Sequence, residues 1–151
     1  MKAMQAFSDT PLLQGEELLE LIPQRSPIVM VDTFFGVDEA GSYTGLEVGR
    51  NPLFCRNGFL DECGVTEHIA QSAAVRLGYL CRLAGTDVPV GFIGSVNKMT
   101  YHALPAVGEE LFTRITVEEE IFDITLISAQ VKAGDRLIAE GQMKIYSKKE
   151  A

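Results

Sequence analysis

The hydrophobic pattern of this chain holds a helical period over one long stretch, and that stretch limits what it can fold into. Val65, Ile69, Ala73 (or Ala70), Leu77 and Leu80 recur at helical spacing, in a segment running from Val65 to about Leu83. Small residues, Ala70, Ser72, Ala73, Ala74 and Gly78, surround that stripe. A helix so apolar and so rich in small side chains is one that other elements pack around on several sides. Gly85 supplies a C-terminal stop. Everything after it reads as strand: Val90 to Met99, then Leu111, Thr113, Ile115 and Val117 alternating with Phe112, Arg114 and Thr116. Ile124 to Lys132 then meets Arg136 to Ser147 through Ala133-Gly134-Asp135, a hairpin turn, and Ala139, Gly141, Met143 and Ile145 share one face of the last strand.

Ahead of the helix the signals are shorter. Leu12 to Ile22 predicts a short amphipathic helix, with Leu18, Leu19 and Ile22 at helical spacing. Pro23 and Pro27 bracket an irregular turn at Gln24-Arg25-Ser26. Ile28 to Phe35 reads as the first buried strand, Gly36 to Gly41 as a turn, and Ser42 to Arg50 as the returning strand. Asn51 to Gly64 is loop-like, broken by Pro52, Asn57, Gly58 and Gly64. The order is short helix, two strands, one long helix, then about four antiparallel strands. A curved antiparallel sheet wrapped around a long central helix satisfies it: an α+β class, the hotdog arrangement. No repeat, low-complexity tract or linker divides the chain, so 1–151 is read as one domain, long enough and at 46% hydrophobic apolar enough for a real core. Such a sheet leaves an edge strand to protect, and pairing edges across a two-fold axis predicts a homodimer or a pseudo-symmetric heterodimer.

Composition excludes several classes of function. A net charge of −8 argues against a nucleic-acid partner, because phosphate binding needs clustered cations. It also disfavours broad attraction to an acidic protein, leaving a local patch such as Arg76 and Arg82 for any such docking. No apolar run approaches the roughly 20 residues of a membrane span. Met1 to Gln14 lacks the basic start and apolar stretch of a signal peptide, so a cytoplasmic location is expected. Three cysteines, Cys55, Cys63 and Cys81, have no metal-site spacing and read as structural thiols. Neither a metal nor a redox cofactor is implied.

Two segments carry the reading beyond fold class. Leu18-Leu19-Glu20-Leu21-Ile22-Pro23-Gln24-Arg25-Ser26-Pro27-Ile28-Val29-Met30-Val31-Asp32 resembles the opening of beta-hydroxyacyl-carrier-protein dehydratases: a leucine-rich helix, Pro-His-Arg, aromatic-Pro, an apolar strand and Asp. Glutamine replaces the His here, and serine the aromatic. Glu67-His68-Ile69-Ala70-Gln71-Ser72-Ala73-Ala74 resembles that family's helix motif Glu-Ala-Met-Ala-Gln-Ala. Weaker similarity runs through Gly91-Phe92-Ile93-Gly94 and Gly108-Glu109-Glu110-Leu111.

The resemblance implies elimination of water from a 3-hydroxyacyl thioester, carried by acyl carrier protein or coenzyme A, to give a trans-2-enoyl product. That chemistry needs a base for the C2 proton, an acid for the leaving hydroxyl, and stabilisation of the thioester oxygen. In the family a loop His is the base, a carboxylate on the central helix serves the hydroxyl, and backbone N–H groups at the helix N-terminus polarise the carbonyl. His and carboxylate come from different protomers. Carried over, Glu67 is the catalytic carboxylate, and Asn57, Gly64, Val65, Gln71, Phe92 and Gly94 are expected at the substrate.

The chain departs from the family at the base. The family's Gly-His-Phe-Pro loop is here Asn51-Pro52-Leu53-Phe54-Cys55-Arg56-Asn57-Gly58-Phe59-Leu60, shorter and without a histidine. Asn57 is the nearest positional stand-in, and asparagine is no base near neutral pH. Of the two histidines present, His68 adjoins Glu67, but successive helix residues point about 100° apart, so the two cannot easily face one substrate. It reads as a packed or surface residue, and His102, before Ala103-Leu104-Pro105, as a surface turn. Cys55 or Cys63 is a remote alternative base or nucleophile. Three readings follow: a dehydratase subunit pairing Glu67 with the His of a complete partner, a non-catalytic acyl-binding subunit, or a thioesterase using the helix carboxylate and water. The resemblance is closest to short His-less dehydratase-like proteins of aryl-polyene and related lipid gene clusters.

Overall fold

The computed structural model describes residues 10–148. The strands are β1 (Leu13–Gln14), β2 (Thr33–Asp38), β3 (Gly41–Glu47), β4 (Cys55–Arg56), β5 (Phe59–Leu60), β6 (Val90–Tyr101), β7 (Glu110–Ile121), β8 (Ile124–Ala133) and β9 (Arg136–Lys148). The helices are α1 (Glu16–Leu19) and α2 (Glu62–Ala84). Seven strands form one antiparallel sheet in the order β1-β2-β3-β7-β8-β9-β6, and β4-β5 is a separate small hairpin. This is the expected α+β hotdog arrangement.

The long helix forms where the period predicts, but it begins earlier. Asp61 caps it, its carboxylate accepting from Gly64 N at 2.8 Å. The helix is 23 residues long, so it spans about 35 Å. Gly85 closes it in the left-handed region, φ 70°, where glycine has no Cβ to clash. Val65, Ile69 and Ala73 pack against Ile115, Ile127, Val131, Ile138 and Met143 of the sheet. Each large side chain fully buried there contributes about 1.5–3 kcal/mol.

The N-terminal segment differs from expectation. Leu12 to Ile22 is not one helix: Leu13–Gln14 pairs with β2, and Gly15, at φ 61°, turns the chain into the four-residue α1. Tertiary pairing with Phe34 and Thr33 overrides the helical spacing. Leu18, Leu21 and Ile22 then form a second cluster with Val31, Phe34 and Val75. The first long strand starts at Thr33 rather than Ile28, and β3 ends at Glu47 rather than Arg50. Within Met1 to Gln14, residues Met1 to Asp9 lie outside the described residues. Among the described residues no helix is long and apolar enough to cross a membrane.

Strand β6 is a sheet edge, paired only with β9. It exposes Val90, Phe92, Ile93 and Val96. An edge that is both apolar and unpaired invites a further strand.

Candidate functional site

Helix α2 carries two neighbouring titratable groups to opposite fates. Glu67 is half-buried and lines a groove of about 710 Å³. The other walls are the Leu21–Gln24 segment, the small residues Ala70, Ala73 and Ala74, and the start of β6 through Phe92 and Ile93. His68 turns into the core and is fully buried. Its Nδ1–H donates to the Met30 carbonyl at 2.7 Å, so Nε2 is the acceptor and takes the Thr113 hydroxyl at 2.7 Å. Burial lowers its pKa, against the smaller opposing effects of the Met30 carbonyl and Asp32. Both ring nitrogens are occupied and the ring is held neutral, so His68 is no base for a groove ligand.

Gln71, one turn beyond Glu67, fixes the carboxylate. Its Nε2 donates to Glu67 Oε2 at 2.7 Å and to the Ile28 carbonyl at 3.0 Å, while its Oε1 accepts from Met30 N at 2.6 Å. Met30 is therefore clasped from both sides of its backbone by adjacent turns of α2, its N–H by Gln71 and its carbonyl by His68. A further buried relay runs from Thr44 through the Ser72 hydroxyl to the His68 carbonyl. These bonds lock the segment before β2 onto the helix and leave Glu67 one oxygen for a ligand.

The other expected site residues are placed variously. Phe92 lines the groove with Glu67. Gln71 sits behind Glu67, buried and fully bonded, rather than in the groove wall. Gly64 and Val65 are buried; a Cβ on Gly64 would meet Leu60 at 2.5 Å and Phe54 at 2.9 Å, so that glycine serves packing. The Gly64 N–H is taken by the Asp61 cap. Asn57 is exposed at the β4–β5 turn, where Asn57 and Gly58 have φ of 54° and 83°. That is the Asn-Gly signature of a tight hairpin, a signal present in the sequence. Gly94 lies at an irregularity of β6 beneath the Tyr146 ring.

The remaining candidates stand apart. His102 pairs with Glu140 at 2.9 Å on the surface. Cys55 bonds within its own loop, to the Gly49 carbonyl, and Cys63 is exposed. Arg82 pairs with Glu20, while Arg76 is half-buried beside Glu120, its pKa lowered by desolvation, so the two do not present a bare cationic patch. Among the described residues no group of three or more histidine, cysteine or carboxylate side chains could hold a metal.

Sequence comparison decides the family: the pattern of the ApeP-like family, described as ApeP dehydratase, matches residues 16–151. The chain belongs to that family. No curated protein matches the sequence. Among solved structures the chain is similar to the dehydratase heterocomplex ApeI:P from Xenorhabdus doucetiae, with a TM-score of 0.81, 13% identity, and 95% of this chain and 94% of that one covered. It is also similar to an uncharacterised protein from Pyrococcus horikoshii, with a TM-score of 0.65, 13% identity and coverage of 93% and 96%. A hypothetical thioesterase with coenzyme A from Streptococcus pneumoniae gives 0.62 at 7% identity, covering 78% and 88%. At these identities the structural likeness shows the fold. The dehydratase family rests on the sequence pattern, and Glu67-His68-Ile69-Ala70-Gln71 lies inside it.

Proposed function

We propose that this chain is the carboxylate-bearing subunit of a dehydratase that converts 3-hydroxyacyl thioesters, held by acyl carrier protein or coenzyme A, to trans-2-enoyl thioesters, with its base supplied by a histidine-bearing partner. The observation that carries this reading is the pairing of a fixed Glu67 with a histidine that is out of reach. Glu67 is oriented by Gln71 at an apolar groove, while His68 is spent on Met30 and Thr113. Sites of this kind are apolar with few convergent polar groups.

In the proposed step the partner's histidine takes the C2 proton. The C2–H electrons form the double bond, the C3–O bond breaks, and the Glu67 carboxyl gives its proton to the leaving hydroxyl, which departs as water. The proton held by the partner's histidine then returns to Glu67 to close the cycle. The exposed apolar edge of β6 beside the groove supports assembly with a second subunit, and a relative of the same fold is a dehydratase heterocomplex.

The test is hydration of a crotonyl thioester, the reverse reaction, by the chain alone and after mixing with a histidine-bearing dehydratase. General-base catalysis contributes about 10²–10⁴-fold, so the chain alone should fall short of the complex by that order. Full turnover by the chain alone would contradict the missing base, and release of free thiol in place of hydration would point to thioester hydrolysis.

A further inference from the structure

A second cavity, of about 670 Å³, opens between the C-terminal half of α2 and the sheet at Thr125 and Ile127 of β8 and Ile145 and Ser147 of β9. It abuts the Glu67 groove: Ala73, Leu77, Val90 and Ile145 line both. Arg76 lines this chamber and not the groove. Its side chain is half-buried, yet among the described residues it makes no hydrogen bond and no ion pair, unlike Arg82 and Arg136. Desolvation lowers its pKa, and the charge of Glu120 offsets this only in part. A guanidinium carries five N–H donors and keeps its charge in a protein, so one that has lost water without gaining a partner calls for an acceptor.

The geometry ties this chamber to the groove. Arg76 lies nine residues beyond Glu67, roughly 14 Å along the axis of α2 at 1.5 Å of rise per residue. Its side chain leans back toward the helix N-terminus, which shortens that gap. At about 100° per residue the two occupy opposite edges of the helix face that carries Ala70, Ala73 and Leu77. The two alanines keep the strip between them low, and Ala73 stands where the cavities meet. The lining also sets the charge of what can bind. Asp87, Glu120 and Asp123 surround the chamber with three carboxylates against one cation, which repels an anionic group. A hydroxyl suits both signs, accepting from the guanidinium and donating to a carboxylate.

We infer that this chamber receives the far end of the acyl chain and that Arg76 donates there to a neutral hydroxyl borne by that end, selecting such chains over plain alkyl ones. This rests on the dehydratase reading above, in which C3 sits at Glu67 and the thioester lies toward the helix N-terminus, so that the rest of the chain runs toward Arg76. Glu67 then serves the reacting end of the substrate and Arg76 its remote end.

The experiment measures hydration by the complex of this chain with its histidine-bearing partner. The substrates are the pantetheine thioesters of crotonate, dodecenoate, ω-hydroxydodecenoate and the ω-carboxylate of the same length. A hydrogen bond to a charged group is worth about 10- to 100-fold, so kcat/KM should favour the ω-hydroxy chain over the plain one by that order. The preference should lie in KM, because the contact is the same in ground and transition states. Arg76→Met should abolish it, and Arg76→Lys, which keeps a cationic donor, should retain part of it. A role in folding would instead lower Tm in Arg76→Met and leave the preference in place. A native complex that hydrates crotonyl-pantetheine but treats the plain and ω-hydroxy chains alike, rejects both, or prefers the ω-carboxylate overturns the inference and leaves the dehydratase reading intact. Failure to hydrate crotonyl-pantetheine overturns both.

Discussion

Gln71 holds Glu67 by one carboxylate oxygen, donating to Oε2 at 2.7 Å, while its own carbonyl is anchored 41 residues away in sequence on Met30 N. The carboxylate is therefore positioned by the packing of α2 against the segment before β2. Gln71→Leu should lower stability by about 1–3 kcal/mol, because the Met30 N–H is left buried without an acceptor. It should also reduce the hydration rate of the complex, as should Gln71→Glu, which can still accept from Met30 N but has no N–H to give Glu67 and sets a second carboxylate against it. Denaturant melts and initial rates on both variants check this.

His68 makes the fold sensitive to acid. Its folded pKa lies below the ordinary 6.5, so the unfolded chain binds a proton more readily than the native one. The stability contributed by the neutral ring is fully present above about pH 6.5 and is lost as pH falls below it toward the depressed native value. Unfolding free energies of the native chain should fall between pH 6.5 and 5. His68→Gln should be less stable at pH 8 yet lose less over that interval; equal losses in both proteins would contradict the buried neutral ring.

Gly78 is a point of backbone contact between α2 and the N-terminal segment. A Cβ there would press on the Leu21 carbonyl, which is backbone and cannot swing away. Gly78→Ala should destabilise by about 1–3 kcal/mol despite alanine's higher helix propensity. Exposed Gly134, at φ 60° in the β8–β9 turn and with open space for a Cβ, is the control for backbone strain alone. Thermal melts of both separate overpacking from strain.

Asp61 sets the start of the helix that carries Glu67. Asp61→Ala should cost about 1 kcal/mol through loss of the bond to Gly64 N. Asp61→Asn, which can still accept that bond, should recover most of it, and Tm values of the three proteins test the order.

The long helix and the four strands after it are legible because their periods, 3.6 and 2, persist over many residues. The helix start is not, since Glu62 and Cys63 are exposed and add nothing to the apolar stripe. The β4–β5 hairpin was signalled by Asn57-Gly58, but strands of two residues are too short to show alternation. Glu67 stands out as a carboxylate on an apolar helix. The duty of Gln71 does not, because its partners Ile28 and Met30 come from a distant segment that only the fold brings near. His68 could be set aside by helix geometry alone, whereas its bond to Thr113 required the sheet.

The central claim is that Glu67 and a partner's histidine form one site, and a double-mutant comparison on the assembled complex tests it most directly. Hydration rates are measured for the native complex, for Glu67→Gln, for the partner with its catalytic histidine replaced by asparagine, and for both together. Groups acting as a unit are strongly non-additive, so either change alone should cost on the order of 10²–10⁴-fold and the second should add little. A Glu67→Gln complex that keeps the native rate would remove this chain from the chemistry.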